Sequence, residues 1–323
     1  MSHHLSSLTQ SPTLILQKLE SDLCARHDVQ LDIVRLDLVD ETISGNKWFK
    51  LKHNLSAARE LNYKRVLSYG GCHSNHLHAL AAAGKRFGFE TIGVVRGDEP
   101  LTYSATLQDL LKYGMDLKFI SRERYRDKNA QGSISALEKE FGEFFLIPEG
   151  GSNLLGVKGC AEMVSLLWDQ PATKIDYLVL GCGTGATLAG AVVGAGGRCK
   201  VLGISALKGA DYLNDNVLSL ISSFNRSQSC AGLSIGEWRI IHDYHFGGFA
   251  KIKPELVQFM DAFSIDTGIP VEPLYVGKTL FAVYDLIKTG QIPNGARIVV
   301  VHTGGLQGVR GMRLQMQKQR DRI

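Results

Sequence analysis

Tyr177–Gly197 reads "YLVLGCGTGATLAGAVVGAGG" and carries no charge over a length that could span a membrane. Its seven glycines, and the break at "GCGTGAT", argue for a different object: a short buried strand, a tight turn and a helix. Gly181, Gly183 and Gly185 let the backbone turn sharply and aim its N–H groups at an anion. Thr184 and Thr187 add hydroxyl donors, and the helix that follows adds its positive end. A phosphate group suits that arrangement. The turn lacks the Lys-Ser/Thr ending of a nucleotide P-loop, and the next strand, "VLGISALKGAD", ends on Ser205 rather than on a ribose-binding acid. A glycine-rich turn kept only for close packing is the competing reading.

The same strand–turn–helix form recurs along the chain. The runs "RVLSYGG", "TIGVVRG", "DLKFIS", "FFLIPEGG", "KVLGIS" and "RIVVVHTGG" end in glycine or a small polar residue, as parallel strands covered on both faces do. Helices fit between them at 74–87, 106–113, 133–141, 155–168 and 187–195, and 214–238 reads as a helix followed by a Ser-rich loop. The expected fold is α/β, with mostly parallel sheets covered by helices. At 323 residues the chain is long enough for two lobes. A net charge of +4 with no basic-aromatic patch argues against nucleic acid. Six scattered cysteines without a CxxC pair argue for free thiols, and "MSHHLSSLTQ" lacks the regions of a signal peptide. The expectation is a cytoplasmic protein with no membrane contact.

Ligands of open α/β sheets bind beyond the carboxyl ends of the strands. One such end, "SYGGCHSNHLHALAAAG", crowds Cys72, His73, Ser74, Asn75, His76 and His78 around a helix start. Ser74 or Asn75 would cap that helix, which is a sufficient structural reason for either. No carboxylate or matched histidine pair accompanies them, so a donor nest for a carboxylate fits better than a metal. Another end, "VVVHTGGLQG", presents Thr303, and "VEPLYVGKTL" puts Tyr275 just before a helix. In "SGNKWFKLK", Trp48, Leu51, Leu55 and Ala58 form one apolar helical stripe. Lys47 sits at its edge in the first turn, where the macrodipole disfavours a cation. A snorkelling lysine is the ordinary explanation. A chemically active lysine, a phosphate cradle and an anion nest together point instead to pyridoxal phosphate, with Lys47 as the Schiff-base amine. Lys50 and Lys52 are then expected to be surface charges.

"SGNKWFKL" and "GGCHSNHLHALAAAG" resemble the cofactor-lysine and Ser-Asn motifs of the 1-aminocyclopropane-1-carboxylate (ACC) deaminase and D-cysteine desulfhydrase family of fold-type-II enzymes. The interval from Lys47 to Ser74 (74 − 47 = 27) also matches. The resemblance runs from about Leu31 to Gly311. It implies a large domain, 1–52 with 158–323, and a small one, 53–157, inserted in it, usually in a homodimer. It further implies cofactor contacts from Asn46, Asn75, Thr303 and the turn Gly183, Thr184, Gly185, Ala186 and Thr187. Ser74 becomes the residue meeting the substrate carboxylate or acting as nucleophile, and Tyr275 the active-site tyrosine. Asn75, His76, Tyr244 and Phe249 would complete the substrate site.

Two positions depart from the family. Val276 stands where ACC deaminases carry an acid, and Phe249 falls where they carry a second tyrosine, with Tyr244 close enough in sequence to substitute. Both departures weaken ring opening of ACC. β-Elimination of a thiol from a small D-amino acid, D-cysteine first, is therefore the expected reaction. ACC deamination is the alternative, and a non-catalytic phosphometabolite-binding protein is the rival of another class.

Overall fold

The computed structural model describes residues 12–169, 174–227 and 234–322. Among the described residues, ten strands form two sheets: β1 (Leu16–Leu19), β2 (Gln30–Arg35), β3 (Arg65–Gly70), β4 (Glu90–Arg96), β5 (Met115–Ile120), β6 (Phe145–Ile147), β7 (Tyr177–Cys182), β8 (Lys200–Ser205), β9 (Trp238–Ile241) and β10 (Arg297–His302). The larger sheet has the order β1-β2-β10-β7-β8-β9, and the smaller β5-β4-β3-β6. Every described pairing is parallel except β1 with β2, so the expected α/β class is what the chain adopts. Residues 177–197 form β7, a turn and the helix Ala186–Ala195, and no described helix is long and apolar enough to cross a membrane. The 214–238 region is helical over Tyr212–Ser227, and residues 228–233 of the expected Ser-rich loop, with Cys230, lie outside the described residues. The five described cysteines are free.

The helix Asn46–Glu60 lies between the two sheets' helical layers and is buried along more than one face. Leu51 and Leu55, at 1% and 0% exposure, each contribute about 1.5–3 kcal/mol by leaving water. Against its outer side packs Leu154–Trp168, so closely that a Cβ on Gly159 would sit 1.8 Å from the Phe49 carbonyl oxygen. This close contact corrects the expectation for Lys50 and Lys52, which are 4% and 8% exposed. Lys50 Nζ donates to the Gly150 carbonyl at 2.9 Å, and Lys52 Nζ pairs with Glu162 at 2.9 Å. An apolar stripe defines one buried face; it says nothing of a second helix covering the other.

The parallel strands that border the space between the sheets point their carboxyl ends at it. The loops after β3, β6, β7 and β10 line a cavity of about 880 Å³.

Candidate active site

Lys47 opens onto this cavity from the first turn of its helix. Its Nζ donates to Asn46 Oδ1 at 2.6 Å, and burial, then repulsion from Lys50, pushes the amine down to about 7. A buried ammonium is costly, so much of the population at neutral pH is the nucleophilic free amine. Asn46 holds this lysine in register with the rest of the site. Its Nδ2 donates to Thr187 Oγ1 at 2.8 Å, and its backbone N–H donates to the Thr303 carbonyl at 3.3 Å. One residue therefore joins the lysine, the glycine-rich turn and the loop after β10.

The turn after β7 has Gly185 at φ +91°, a left-handed cap that an L side chain would strain, and the helix starts at Ala186. Gly183 is required for another reason. A Cβ there would lie 3.0 Å from the Tyr275 hydroxyl, so the tyrosine ring occupies the side of the turn. Helix N-termini leave their first N–H groups without intrahelical partners, which makes Gly183–Thr187 an anion cradle.

Across the cavity, Ser74 caps the helix Asn75–Phe87, accepting from the Leu77 N–H at 3.2 Å. The capping role is real, and it leaves the hydroxyl hydrogen free. Asn75 Oδ1 accepts from Gln307 Nε2 at 3.0 Å, which turns the amide's NH₂ away from Gln307. Ser68 gives its one proton to the Ile147 carbonyl at 2.7 Å, so His76 Nε2–H must be the donor to Ser68 Oγ at 2.9 Å. His76 Nδ1 then stays a bare acceptor, with no partner among the described residues. Burial, with Lys47 and Lys50 nearby, holds His76 well below its usual pKa and therefore neutral. His78 leaves the group: it pairs with Asp109 at 3.4 Å and does not line the cavity. Among the described residues no cluster could hold a metal.

Tyr275, Thr303 and Phe249 line the cavity, with the Phe249 and Tyr275 rings 6.0 Å apart. Tyr244 is a correction. Its hydroxyl donates to Asp285 Oδ2 at 2.7 Å, its ring packs on Phe281, and it does not line the cavity. It cannot replace a hydroxyl at Phe249 from there.

Glu272 was not singled out from the sequence. It is 1% exposed, and its carboxylate accepts the N–H groups of Leu274 (2.6 Å), Tyr275 (2.9 Å) and Val276 (2.6 Å). Burial raises its pKa to about 7 against those donors. It fixes the backbone that presents Tyr275, and the only local signal was an acid three residues before the tyrosine.

The donor set fits a group with an aldehyde at one end and a phosphate at the other: a free amine, an anion cradle and the hydroxyl-bearing Thr303 line one cavity. Residues 26–304 match the family described as pyridoxal-phosphate dependent enzyme. A "Putative 1-aminocyclopropane-1-carboxylate deaminase" of Pyrococcus horikoshii is 28% identical over 85% of this chain and 84% of its own length. The "Bifunctional D-cysteine desulfhydrase/1-aminocyclopropane-1-carboxylate deaminase, mitochondrial" of Arabidopsis thaliana is 29% identical over 87% of this chain and 73% of its own. A crystal structure of an ACC deaminase homologue superposes with a TM-score of 0.83 at 25% identity, covering 99% of this chain and all of that one. With a lysine, a cradle and an anion nest in one cavity, and a match across most of its length, the chain belongs to the pyridoxal-phosphate dependent enzymes.

Proposed function

We propose that the protein is a lyase that removes the β-thiol of a small D-amino acid, with D-cysteine and water as reactants and pyruvate, ammonia and sulfide as products. The observation that carries the choice is the aromatic wall, where Phe249 offers no hydroxyl and Tyr244 is turned to Asp285. When bound, the cofactor supplies an electron sink for charge at the substrate's α-carbon. The chain's residues do the rest. Lys47 Nζ, whose pKa burial brings down to about 7, takes the proton from that carbon. Ser74 and the N–H groups opening the helix after it hold the substrate carboxylate. Tyr275 keeps its proton, because burial raises its pKa, and its ring lies 6.0 Å from that of Phe249. Thr303, which lines the cavity, would offer a hydroxyl rather than a carboxylate to the cofactor's ring nitrogen, and Val276 adds no acid. A thiolate stabilises its own charge and leaves without more help, whereas the cyclopropane carbon of ACC needs acid assistance.

The names of the relatives supply the second reading, ACC deamination. Membership of an enzyme family leaves the binding-only reading without support. On the same view the enzyme works in the cytoplasm, as a homodimer, on a free amino acid. Incubating the cofactor-loaded protein with D-cysteine, β-chloro-D-alanine and ACC, and measuring sulfide, pyruvate and 2-oxobutyrate, tests the choice. Pyruvate from the first two should far exceed 2-oxobutyrate from ACC. Comparable rates from ACC would overturn the substrate assignment.

Ser74→Ala separates the cap from the chemistry. As a cap alone the residue is worth about 1 kcal/mol, which shows as a lower melting temperature with normal turnover. The expected result is that modest thermal loss together with a fall in turnover of about 10²-fold or more, the cofactor remaining bound.

A further inference from the structure

Lys278 is 1% exposed and lies in the first turn of the helix Val276–Lys288, where both burial and the helix dipole disfavour a cation. Its Nζ donates to two carbonyls of one distant loop, His245 at 2.8 Å and Gly248 at 2.9 Å. That loop cannot hold its own shape easily. Phe246 (φ +53°), Gly247 (+101°), Gly248 (+118°) and Ala250 (+57°) all lie in the left-handed region, leaving Phe249 as the exception between residues 246 and 250. The same two carbonyls also close the loop's turns, accepting the N–H groups of Gly248 and Lys251. The ammonium is thus the hub of the loop, and the loop's one contribution to the cavity wall beside Tyr275 is Phe249 with its neighbour Ala250.

We propose that Lys278 is the positioning residue that sets Phe249 against Tyr275, and so fixes the substrate side of the cavity. It acts through the loop and touches neither cofactor nor substrate. Glu272 and Lys278 then flank Tyr275 in sequence at equal spacing, one fixing the tyrosine's backbone and the other the ring that faces it. The inference refines the function proposed above and rests on it only for the choice of substrate.

The test is Lys278→Met, which keeps the packing of the stem and removes the donors, combined with Phe249→Ala in a double-mutant cycle. Lys278→Met should bind the cofactor as wild type does, by spectroscopic titration. It should raise KM for the substrate that wild type turns over, with a loss in kcat/KM of up to about 100-fold. Trypsin should cut faster after Lys251. Phe249→Ala should produce a similar loss, and the double variant little more than either, because both remove the same wall. If Lys278→Met does not fold, Gly247→Ala provides the second route, straining the loop without touching the ammonium. It should raise KM and trypsin sensitivity in the same way. Additive losses in the double variant, or unchanged cleavage after Lys251 in a folded variant, would overturn the proposal. The cleavage and cofactor readouts need no substrate, so an error in the substrate assignment would appear separately, as wild type producing no keto acid.

Discussion

Lys47→Ala is expected to abolish the visible absorption of lysine-bound cofactor and to reduce turnover by at least about 10²–10⁴-fold, the usual contribution of a positioned proton-transfer group. The covalent bond needs an amine, and Lys47 is the cavity lysine whose pKa lies near 7. Borohydride treatment followed by peptide mapping reads the site directly. Label appearing on Lys50, the other amine that Asn46–Glu60 brings to the cavity, would sink the assignment. The cofactor-free protein gives an independent readout. Because folding lowers this amine from 10.5 to about 7, the unfolded chain binds more protons between those values, so stability rises with pH across that window. Lys47→Ala should flatten part of that rise, which melting curves from pH 7 to pH 10 would show.

Gly45→Ala should destabilise the protein by about 3–5 kcal/mol, from an overpacked contact plus a left-handed backbone that alanine resists. Gly45 has φ +74°, and a Cβ there would lie 2.0 Å from the Thr303 carbonyl oxygen, with the Gly304 Cα at 2.8 Å. Neither neighbour is a flexible side chain that could move aside. The loop after β10 would have to retreat, carrying Thr303 away and breaking the Asn46 bond to its carbonyl. Urea unfolding measures the loss. A change below 1 kcal/mol would mean that the two loops are not locked together.

The parts of the site that the sequence made legible are those where chemistry and local form coincide. Ser74, Asn75, Gly183, Thr187 and Thr303 each follow an apolar run and precede or open a helix, so strand, turn and placement at the cavity could be read from a few adjacent residues. Lys50 and Lys52 were misplaced because burial of a helix's second face depends on Glu149–Gly151 and Leu154–Trp168, about a hundred residues away. Glu272 was missed because its partners are backbone N–H groups, which leave no side-chain pattern. Tyr244 lies five residues before Phe249 (249 − 244 = 5), yet the intervening left-handed turns direct it to Asp285. Nearness in sequence stops predicting nearness in space once the backbone reverses.

The position of β10 between β2 and β7 has a consequence for biosynthesis. β2 and β10 pair residue for residue from Gln30 with Arg297 to Arg35 with His302, so a ribosome must deliver some 260 residues before the first partner meets the second. Until then β2 is a strand with one open edge, and the Asn46 tether to Thr303 does not exist. The smaller sheet faces no such wait, since β3 to β6 are finished by Ile147. The lysine's pocket should therefore be among the last features to appear on the nascent chain, and the cofactor should meet a released protein rather than a growing one.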